Sequence, residues 1–304
     1  MIEYEIISKR KIRHINVFVN EITYRSHHLH NETEFILTLS GEGTITISGN
    51  PVSVKTGDII VIPGSQPHEI KADKDKLVLE IIQISNHFLN DYFPKMRNLS
   101  FLEYHLDPSD PIYPEIRSLF LELGIAYFGN EENYELLSVS LLSKLIWLLL
   151  NSLKHEMINE KEYQRRKKNT KRIERISSYI EANYQDQIRL KDIAQMEDIT
   201  ITYLSHIIRD AYGISFQEYL NNFRFEHSLR LISNQEMNLS DISFESGFSE
   251  LKYMNAMYLK TFHMSAKKFR ENMPSIIPSK KKDVFTLENI LDPTHSIALL
   301  KERL

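Results

Sequence analysis

The pattern of apolar and polar positions along the chain changes near residues 108–114. From residue 15 to residue 84, apolar residues alternate or form short β-branched runs, and turn residues such as Gly49-Asn50-Pro51 interrupt them at regular intervals. This spacing predicts a small antiparallel barrel or sandwich. Beyond residue 114 the apolar positions recur at helical spacing. The sequence therefore predicts an α+β chain whose strands precede its helices.

Two helices are predicted directly after this change, over residues 115–128 and 132–153. The second helix is apolar around most of its circumference, which predicts packing partners beyond a single sheet. Its apolar stretch, residues 136–150, contains serines and Lys144 and is shorter than the roughly 20 residues that span a membrane. No membrane partner is therefore predicted, and the helix either packs between domains or joins two copies in a homodimer.

Composition narrows the class of protein. The chain has 304 residues, 42% of them hydrophobic and 26% charged, which is typical of a soluble protein with about two domains. The absence of cysteine excludes disulfides, thiolate metal sites and cysteine nucleophiles, and it suggests a reducing, cytoplasmic location. The net charge of −4 excludes a general polyanion binder. Any nucleic-acid binding must therefore come from local patterning.

A helix-turn-helix pattern covers residues 189–213. Thr200 can cap the second helix at its N-terminus, and Gly213 can end it. The residues predicted in the core are Tyr203, Leu204, Ile207 and Ile208. The residues predicted on the outer face are Thr202, Ser205, His206 and Arg209.

Residues 240–264 repeat this plan, with Ser249 as the predicted N-cap of the second helix. The residues predicted to be buried are Tyr253, Met254, Met257 and Tyr258. The residues nearer the surface are Lys252, Asn255, Ala256 and Leu259. Two such units joined by one long helix can place two recognition helices in successive major grooves of a duplex. DNA binding is therefore the leading functional prediction.

The two units resemble the AraC/XylS family of bacterial transcription regulators. The matching residues are Asp192-Ile193-Ala194, Tyr203-Leu204-Ser205, Gly213, Ser215-Phe216, Tyr219-Leu220, Arg224, Asp241-Ile242, Gly247-Phe248, Phe262 and Phe269-Arg270. The resemblance implies a DNA-binding regulator, commonly an activator, rather than an enzyme. Its implied partners are double-stranded DNA, a small-molecule effector, RNA polymerase and a second copy of the chain.

The resemblance also implies which residues contact DNA. The residues expected to contact bases are Thr202, Ser205, His206, Lys252 and Asn255. The residues expected to contact phosphates are Thr200, Arg209, Ser249 and Lys260. The chain departs from the family at four positions, where the family commonly has two basic residues, a glycine and a proline: Ala256, Leu259, His263 and Ala266. Basic and acidic side chains are nearly balanced over residues 170–272, which predicts a shallow dependence of DNA affinity on salt.

A second set of residues resembles the two motifs of the cupin barrel: His28, His30, Glu34, Gly41, Gly57, Pro63 and His68. Positions 28 and 30 project to the same side of a strand, and imidazoles with a carboxylate suit zinc, iron, manganese or nickel. The same groups suit hydrogen bonding to a sugar or an organic acid. His28, His30, Glu34 and His68 are therefore candidate effector ligands, and whether a divalent metal also binds them stays open.

The domain organisation follows from these patterns. We predict a cupin-like effector-sensing barrel over residues 1–108, a helical dimerisation or interdomain region over 109–160, and a double helix-turn-helix domain over 161–272. Residues 160–170 are predicted to be a solvated linker. The extension over residues 273–304 should contain a helix that starts after Asp292 and packs on the barrel or on a partner.

The predicted function is a ligand-responsive regulator of transcription that senses a small polar molecule, for which sugars are the family's common example. Two alternatives remain: a cupin-type metal-dependent enzyme with an accessory helical domain, and a non-catalytic interaction protein.

Overall fold

The computed structural model describes residues 3–4, 11–85, 87–88, 92–129, 131–272 and 286–304, so the first part of the predicted extension lies outside the described residues. The strands are β1 (Glu3–Tyr4), β2 (Ile15–Leu29), β3 (Thr33–Ser40), β4 (Glu42–Ile47), β5 (Asn50–Lys55), β6 (Ile59–Ile62), β7 (His68–Ala72), β8 (Leu77–Ile84), β9 (Leu99–Phe101), β10 (His105–Leu106), β11 (His155–Met157) and β12 (Thr286–Ile290). The helices are α1 (Tyr113–Gly129), α2 (Tyr134–Ser152), α3 (Glu160–Asn183), α4 (Leu190–Met196), α5 (Ile201–Tyr212), α6 (Phe216–Leu231), α7 (Leu239–Glu245), α8 (Leu251–Phe262), α9 (Ala266–Asn272) and α10 (Pro293–Lys301).

The N-terminal strands form a nearly closed antiparallel barrel. Neighbouring strands follow the order β10-β6-β3-β8-β2-β7-β4-β5, and β1 and β12 also pair with β2. The long strand β2 belongs to both sides of the barrel, because residues 15–22 pair with β8 and later residues pair with β7. The predicted α+β architecture, with a barrel followed by helices, is confirmed.

The two faces of β8 belong to two different cores. Leu79 and Ile81 point into the barrel, where they pack with isoleucines from β3, β4 and β6. Val78 and Ile82 point outward and pack against α1 and α2. β-Branched and aliphatic side chains suit a pleated surface that is buried on both sides, which explains why this run of apolar residues forms a strand.

Helix α2 buries one side and exposes another apolar side. Leu142, Leu145 and Leu149 are fully buried in the core shared with α1 and the barrel. In contrast, Leu136 is 75% exposed and Trp147 is 61% exposed. By length and composition alone, α2 could cross a membrane, but its buried side is part of a protein core. Part of the apolar surface of α2 is therefore not covered by α1 or the barrel.

Residues 286–304 return to the barrel. Strand β12 pairs with β2, and its buried Glu288 accepts hydrogen bonds from the amide of Asn20 at 2.6 Å and the guanidinium of Arg25 at 3.0 Å. Helix α10 starts as predicted, with the Asp292 side chain accepting from two backbone amides, and packs on α1. This part of the extension therefore packs on the barrel and its helical layer.

The helical domain begins with α3, one continuous helix over Glu160–Asn183. The prediction of a linker over residues 160–170 is wrong. Asn159 caps the helix by accepting from the Glu162 amide, and the Glu162 carboxylate pairs with the two arginines that follow it. Such pairs at i,i+3 and i,i+4 support the exposed first turns of the helix, whereas Ile173, Ile176 and Ile180 further along are buried in the core of the helical domain.

Helices α4–α9 form two helix-turn-helix units that share α6. The first unit encloses a core that contains Leu204 and Ile207 of α5. The second unit encloses a core that contains Met254 and Tyr258 of α8. Both α5 and α8 have twelve residues and bury their fourth and eighth positions. The two helices are therefore structurally equivalent, position by position.

Candidate functional site

Four polar side chains meet inside the barrel, on β2, β3 and β7 and directly after β2. His28, His30, Glu34 and His68 are all buried, and their candidate ligand atoms lie within 4.8 Å of one another. Strands β2 and β7 pair in register at His28 and His68, which places the two ring centroids 3.9 Å apart. The structure thus brings together all four residues of the predicted cluster, which we call the histidine cluster.

Glu34 is the centre of the hydrogen bonding in the histidine cluster. Its Oε1 lies 3.0 Å from His30 Nε2 and accepts a hydrogen bond of 2.6 Å from Gln83 Nε2. Its Oε2 lies 3.3 Å from His68 Nε2. His68 Nδ1 lies 2.9 Å from the Gln66 carbonyl oxygen. A carbonyl oxygen can only accept, so Nδ1 carries a proton, and in the neutral ring the lone pair lies on Nε2, inside the cluster.

Burial and charge set the protonation of the histidine cluster. Burial lowers the pKa of His28 well below its usual value, and the nearby charges of Arg25 and His68 lower it further. Burial alone would raise the pKa of Glu34. Positive charge on His30 and His68, with their hydrogen bonds, outweighs this effect and holds that pKa well below its usual value. A neutral imidazole and an ionised carboxylate therefore stand side by side at neutral pH.

This donor set fits a divalent cation. Imidazole nitrogens with one carboxylate are ligands of zinc and of several other transition metals. Glu34 Oε2 and His68 Nε2 are buried 3.3 Å from each other, and neither has another partner among the described residues, so both atoms can serve as ligands of a cation. The Gln66 carbonyl behind His68 is the kind of outer partner that fixes the tautomer of a metal ligand. The same atoms can also hold the hydroxyl groups of a polar organic molecule.

Sequence reasoning missed Gln83 as a member of this site. The β3–β8 register sets Gln83 directly opposite Glu34, and the alternation along β8 turns it inward beside Ile81. That alternation was visible in the sequence, but the register that pairs the two residues was not. The neighbouring His27 points away from the cluster, and its Nδ1 lies 3.5 Å from the Glu69 carboxylate.

Helix α5 carries the predicted polar face. Thr202, Ser205, His206 and Arg209 are all exposed. The predicted cap is also present, because the Thr200 hydroxyl accepts from the backbone amide of the third helical residue at 3.1 Å. These side chains therefore lie where a duplex can reach them.

Tyr203 differs from its prediction as a core residue, since it is 44% exposed. It lies on the flank of α5 beside α3, with the guanidinium carbon of Arg172 5.9 Å from its ring centre. Gly213 ends α5 in the left-handed conformation, with φ of 68°, as predicted.

The first turn of α8 also differs from its prediction. The N-cap is Glu250, whose side chain makes no capping hydrogen bond, and Ser249 is an exposed residue before it. Ser249 as N-cap is therefore wrong, because the helix begins one residue later than expected. Tyr253 is 49% exposed and not in the core. Like Tyr203, it is the third residue of its helix and lies at the edge of the buried stripe.

Two polar side chains of α8 already have partners within the domain. Lys252 Nζ lies 2.8 Å from the Glu250 carboxylate. Asn255 Oδ1 accepts a hydrogen bond of 3.1 Å from the Ala266 backbone amide, which anchors the start of α9. A bidentate contact with adenine needs both polar atoms of the asparagine amide. The expected base contact from Asn255 therefore conflicts with its hydrogen bond to α9. Lys260, an expected phosphate contact, is exposed near the end of α8.

The barrel touches the helical domain at the end of α5. The turn between β4 and β5 brings Gly49 so close to Gly213 that a β-carbon at position 49 would lie 2.5 Å from the Gly213 Cα. Strand β4 also pairs with β7, where Ile47 lies opposite His68. One short turn therefore connects the histidine cluster to the C-terminus of α5.

Comparison with known proteins gives the same division of the chain. A family model described as a cupin domain matches residues 19–85, and a model described as a helix-turn-helix domain matches residues 193–272. The second domain is of the AraC type. The chain thus contains a cupin domain and an AraC-type helix-turn-helix domain. It combines a cupin barrel with two helix-turn-helix units.

Curated proteins that are similar to this chain include regulators of transcription. An uncharacterized HTH-type transcriptional regulator of Staphylococcus aureus strain MRSA252 is 20% identical over 243 residues, which cover 80% of this chain and 32% of the relative. The chain thus spans about a third of the length of such staphylococcal relatives. The lactose operon transcription activator of Staphylococcus xylosus is 23% identical over 268 residues, covering 84% of this chain and 88% of the relative.

Solved structures with detectable similarity include ToxT from Vibrio cholerae, with 18% identity and a TM-score of 0.44, covering 84% of this chain and 97% of that one. The C-terminal domain of the response regulator yesN from Fusobacterium nucleatum has 30% identity and a TM-score of 0.30, covering 32% of this chain and 95% of that one.

Proposed function

We propose that this protein is a cytoplasmic, ligand-responsive regulator of transcription of the AraC/XylS family that binds double-stranded DNA in a sequence-specific manner. The observation that carries this proposal is the pair of equivalent helices α5 and α8, each with an exposed outer face in one domain. Their shared helix α6 holds them together, so that one duplex can engage both in successive major grooves. Activation through RNA polymerase is the form of regulation that we propose.

Helix α5 supplies hydrogen-bonding side chains for base recognition. Thr202, Ser205 and His206 present hydroxyl and imidazole groups that can donate to and accept from base edges. The Thr200 hydroxyl already accepts from the helix, so its proton remains available for a phosphate oxygen. Arg209 on the same face adds a positive charge for the backbone.

On the α8 side, Ser249 before the helix and Lys260 near its end are the proposed phosphate contacts, and both are exposed. They lie at opposite ends of the helix, as expected for side chains that contact the two walls of one groove.

The histidine cluster is the proposed effector site. Its imidazole nitrogens and ionised carboxylate can bind a small molecule with several hydroxyl groups, and sugars are the first class to test. The relative that activates a lactose operon supports this choice. Gln83, which donates to Glu34, would orient the carboxylate toward such a ligand.

The contact between Gly49 and Gly213 is the proposed route from effector to DNA. A ligand that contacts His68 also acts on β4, because Ile47 pairs with His68 two residues before Gly49. A small shift of that turn must move the end of α5, since there is no side chain between the two backbones to absorb it. Effector binding would thereby change the population of DNA-competent placements of α5.

A homodimer is the proposed assembly. The exposed apolar side of α2, which includes Leu136 and Trp147, is continuous with the helical layer that covers the barrel. Burial of about 25 cal/mol per Å² of apolar surface would favour association of two such faces. A dimer would present two DNA-binding domains to two half-sites.

The histidine cluster also supports a second candidate, a metal-dependent enzyme of the cupin type. The observation in its favour is that four ligand atoms lie within 4.8 Å of one another. Elemental analysis of protein purified without a metal-affinity tag tests whether a cation binds, with Glu34→Gln as the matched variant. About one equivalent in the wild type and far less in Glu34→Gln supports a metal, and no bound cation near stoichiometry excludes it.

DNase protection of the region upstream of the protein's own gene tests the regulator. We expect a discrete protected region at low salt whose extent or affinity changes when the effector is added. The absence of sequence-specific protection, with and without sugars and divalent cations, would overturn the proposal.

A further inference from the structure

The outer face of α8 is chemically different from that of α5. Because the two helices are equivalent, His206 of α5 corresponds to Ala256 of α8, and Arg209 corresponds to Leu259. Ala256 is exposed, and Leu259 is 52% exposed. Polar groups on the first helix are thus replaced by a methyl and an isobutyl group on the second.

The remaining polar side chains of α8 do not restore a hydrogen-bonding face. Asn255 is held by the backbone of α9 through its oxygen. Lys252 lies against the Glu250 carboxylate and beside the ring of Tyr253, with its Nζ 4.9 Å from the ring centre. The groups at the centre of the face are therefore apolar, and positive charge lies only at its borders, at Lys252 and Lys260.

The major groove offers one apolar group to such a face. The edges of guanine, cytosine and adenine present hydrogen-bond donors and acceptors, whereas thymine adds a C5-methyl group. Pressing Ala256 and Leu259 against any other base edge would desolvate a polar group without replacing its hydrogen bond, which is costly. Contact with thymine methyls removes apolar surface from water on both sides.

We propose that α8 recognises its half-site through the C5-methyl groups of thymines, which pack against Ala256 and Leu259, while α5 reads its own half-site by hydrogen bonds. The two lysines at the borders of the α8 face then hold the phosphates on either side. This inference rests on the proposed DNA-binding function and adds the class of base pair that the second unit selects.

The test begins with duplexes selected from a random library by the full-length protein. Each thymine of a selected duplex is replaced in turn by deoxyuridine, which pairs identically and lacks only the methyl group. For the wild type we expect affinity to fall about fourfold at one or two adjacent positions, as the burial of one methyl-sized group implies. The same scan is then run on Leu259→Ala and on Ala256→Ser, which leave the buried positions of α8 unchanged.

Matched controls separate this contact from general effects. Leu102→Ala removes a similarly exposed leucine, 57% exposed, from a segment outside the DNA-binding domain, and its scan should equal that of the wild type. Thermal melting confirms that each variant is folded. We expect the deoxyuridine effect to shrink to less than twofold in Leu259→Ala or Ala256→Ser.

The possible results distinguish the DNA-binding function from the thymine contact. Failure of the wild type to select any sequence overturns the DNA-binding function and this inference with it. Selection without any deoxyuridine effect leaves the function standing and overturns the thymine contact. A deoxyuridine effect that persists unchanged in both variants assigns the methyl contact to another residue, such as the Thr202 methyl of α5, and also overturns the inference.

Discussion

Replacing Gly49 by alanine should loosen the contact between the barrel and α5 while leaving both parts folded. Gly49 has φ of 80°, a conformation in which a β-carbon costs about 1–2 kcal/mol. Gly57 has φ of 97°, and a β-carbon there would meet only the Tyr113 hydroxyl, at 3.2 Å. Gly57→Ala is therefore a control with similar backbone strain, and the difference between the variants isolates the clash with Gly213.

The size of that clash follows from one distance. A β-carbon at position 49 would lie 2.5 Å from the Gly213 Cα, whereas carbon atoms pack best at about 3.5–4.0 Å. The turn and the end of α5 must therefore separate by about 1 Å. Overpacking of this kind typically costs about 1–3 kcal/mol, and each 1.4 kcal/mol is about a tenfold change in an opening equilibrium.

Amide hydrogen exchange followed by mass spectrometry measures this opening. Peptides that contain the end of α5 should exchange about fivefold to a hundredfold faster in Gly49→Ala than in the wild type. In Gly57→Ala these peptides should match the wild type. Equal exchange at the end of α5 in both variants would refute the proposed mechanical connection.

Three further predictions concern the DNA-binding domain. His206→Ala should relax the choice of DNA sequence with little effect on the melting temperature. Asn255→Ala should instead lower the free energy of unfolding by about 1 kcal/mol, because it removes the acceptor for the Ala266 amide. Paired binding and melting series would contradict this geometry if Asn255→Ala changed sequence choice and His206→Ala changed stability. His263 ends α8 in the left-handed conformation, with φ of 57°. His263→Gly should therefore raise the free energy of unfolding by about 1 kcal/mol in denaturant titrations. An unchanged free energy of unfolding would argue against backbone strain at this position. Burial, with a smaller contribution from a nearby arginine, lowers the pKa of His227 from 6.5 to about 4. The contribution of the neutral ring to stability is therefore present above pH 6.5 and is lost as the pH falls toward 4. His227→Phe should flatten this pH dependence of the free energy of unfolding, and an unchanged slope would assign the dependence to other groups.

The sequence was sufficient where a feature depends on local pattern. The period-two alternation of the barrel strands, the cap at Thr200 and the left-handed end at Gly213 each involve residues that are close in the chain. The histidine cluster could also be predicted, because His28 and His30 are two positions apart in the sequence and match a known motif. All these predictions rest on short-range spacing.

Features that depend on register or on packing between elements could not be predicted in this way. Gln83 joins the site only because β3 and β8 pair with that residue opposite Glu34. Asn255 becomes a packing residue only once α9 folds back onto α8. Strand β12 has five residues, and its apolar and polar residues do not alternate clearly. Its pairing with β2 depends on contacts distant in sequence, such as the hydrogen bond from Arg25 to Glu288.

Helices α5 and α8 together should recognise a particular DNA sequence. The most direct test is the ratio of the dissociation constants of a scrambled duplex and a selected duplex of equal length, measured at one physiological salt concentration. Specific DNA-binding proteins reach ratios of at least about 10³, and we predict a ratio of that order for the wild type, reduced at least tenfold in His206→Ala. A wild-type ratio close to one would contradict sequence-specific recognition and the regulatory function built on it.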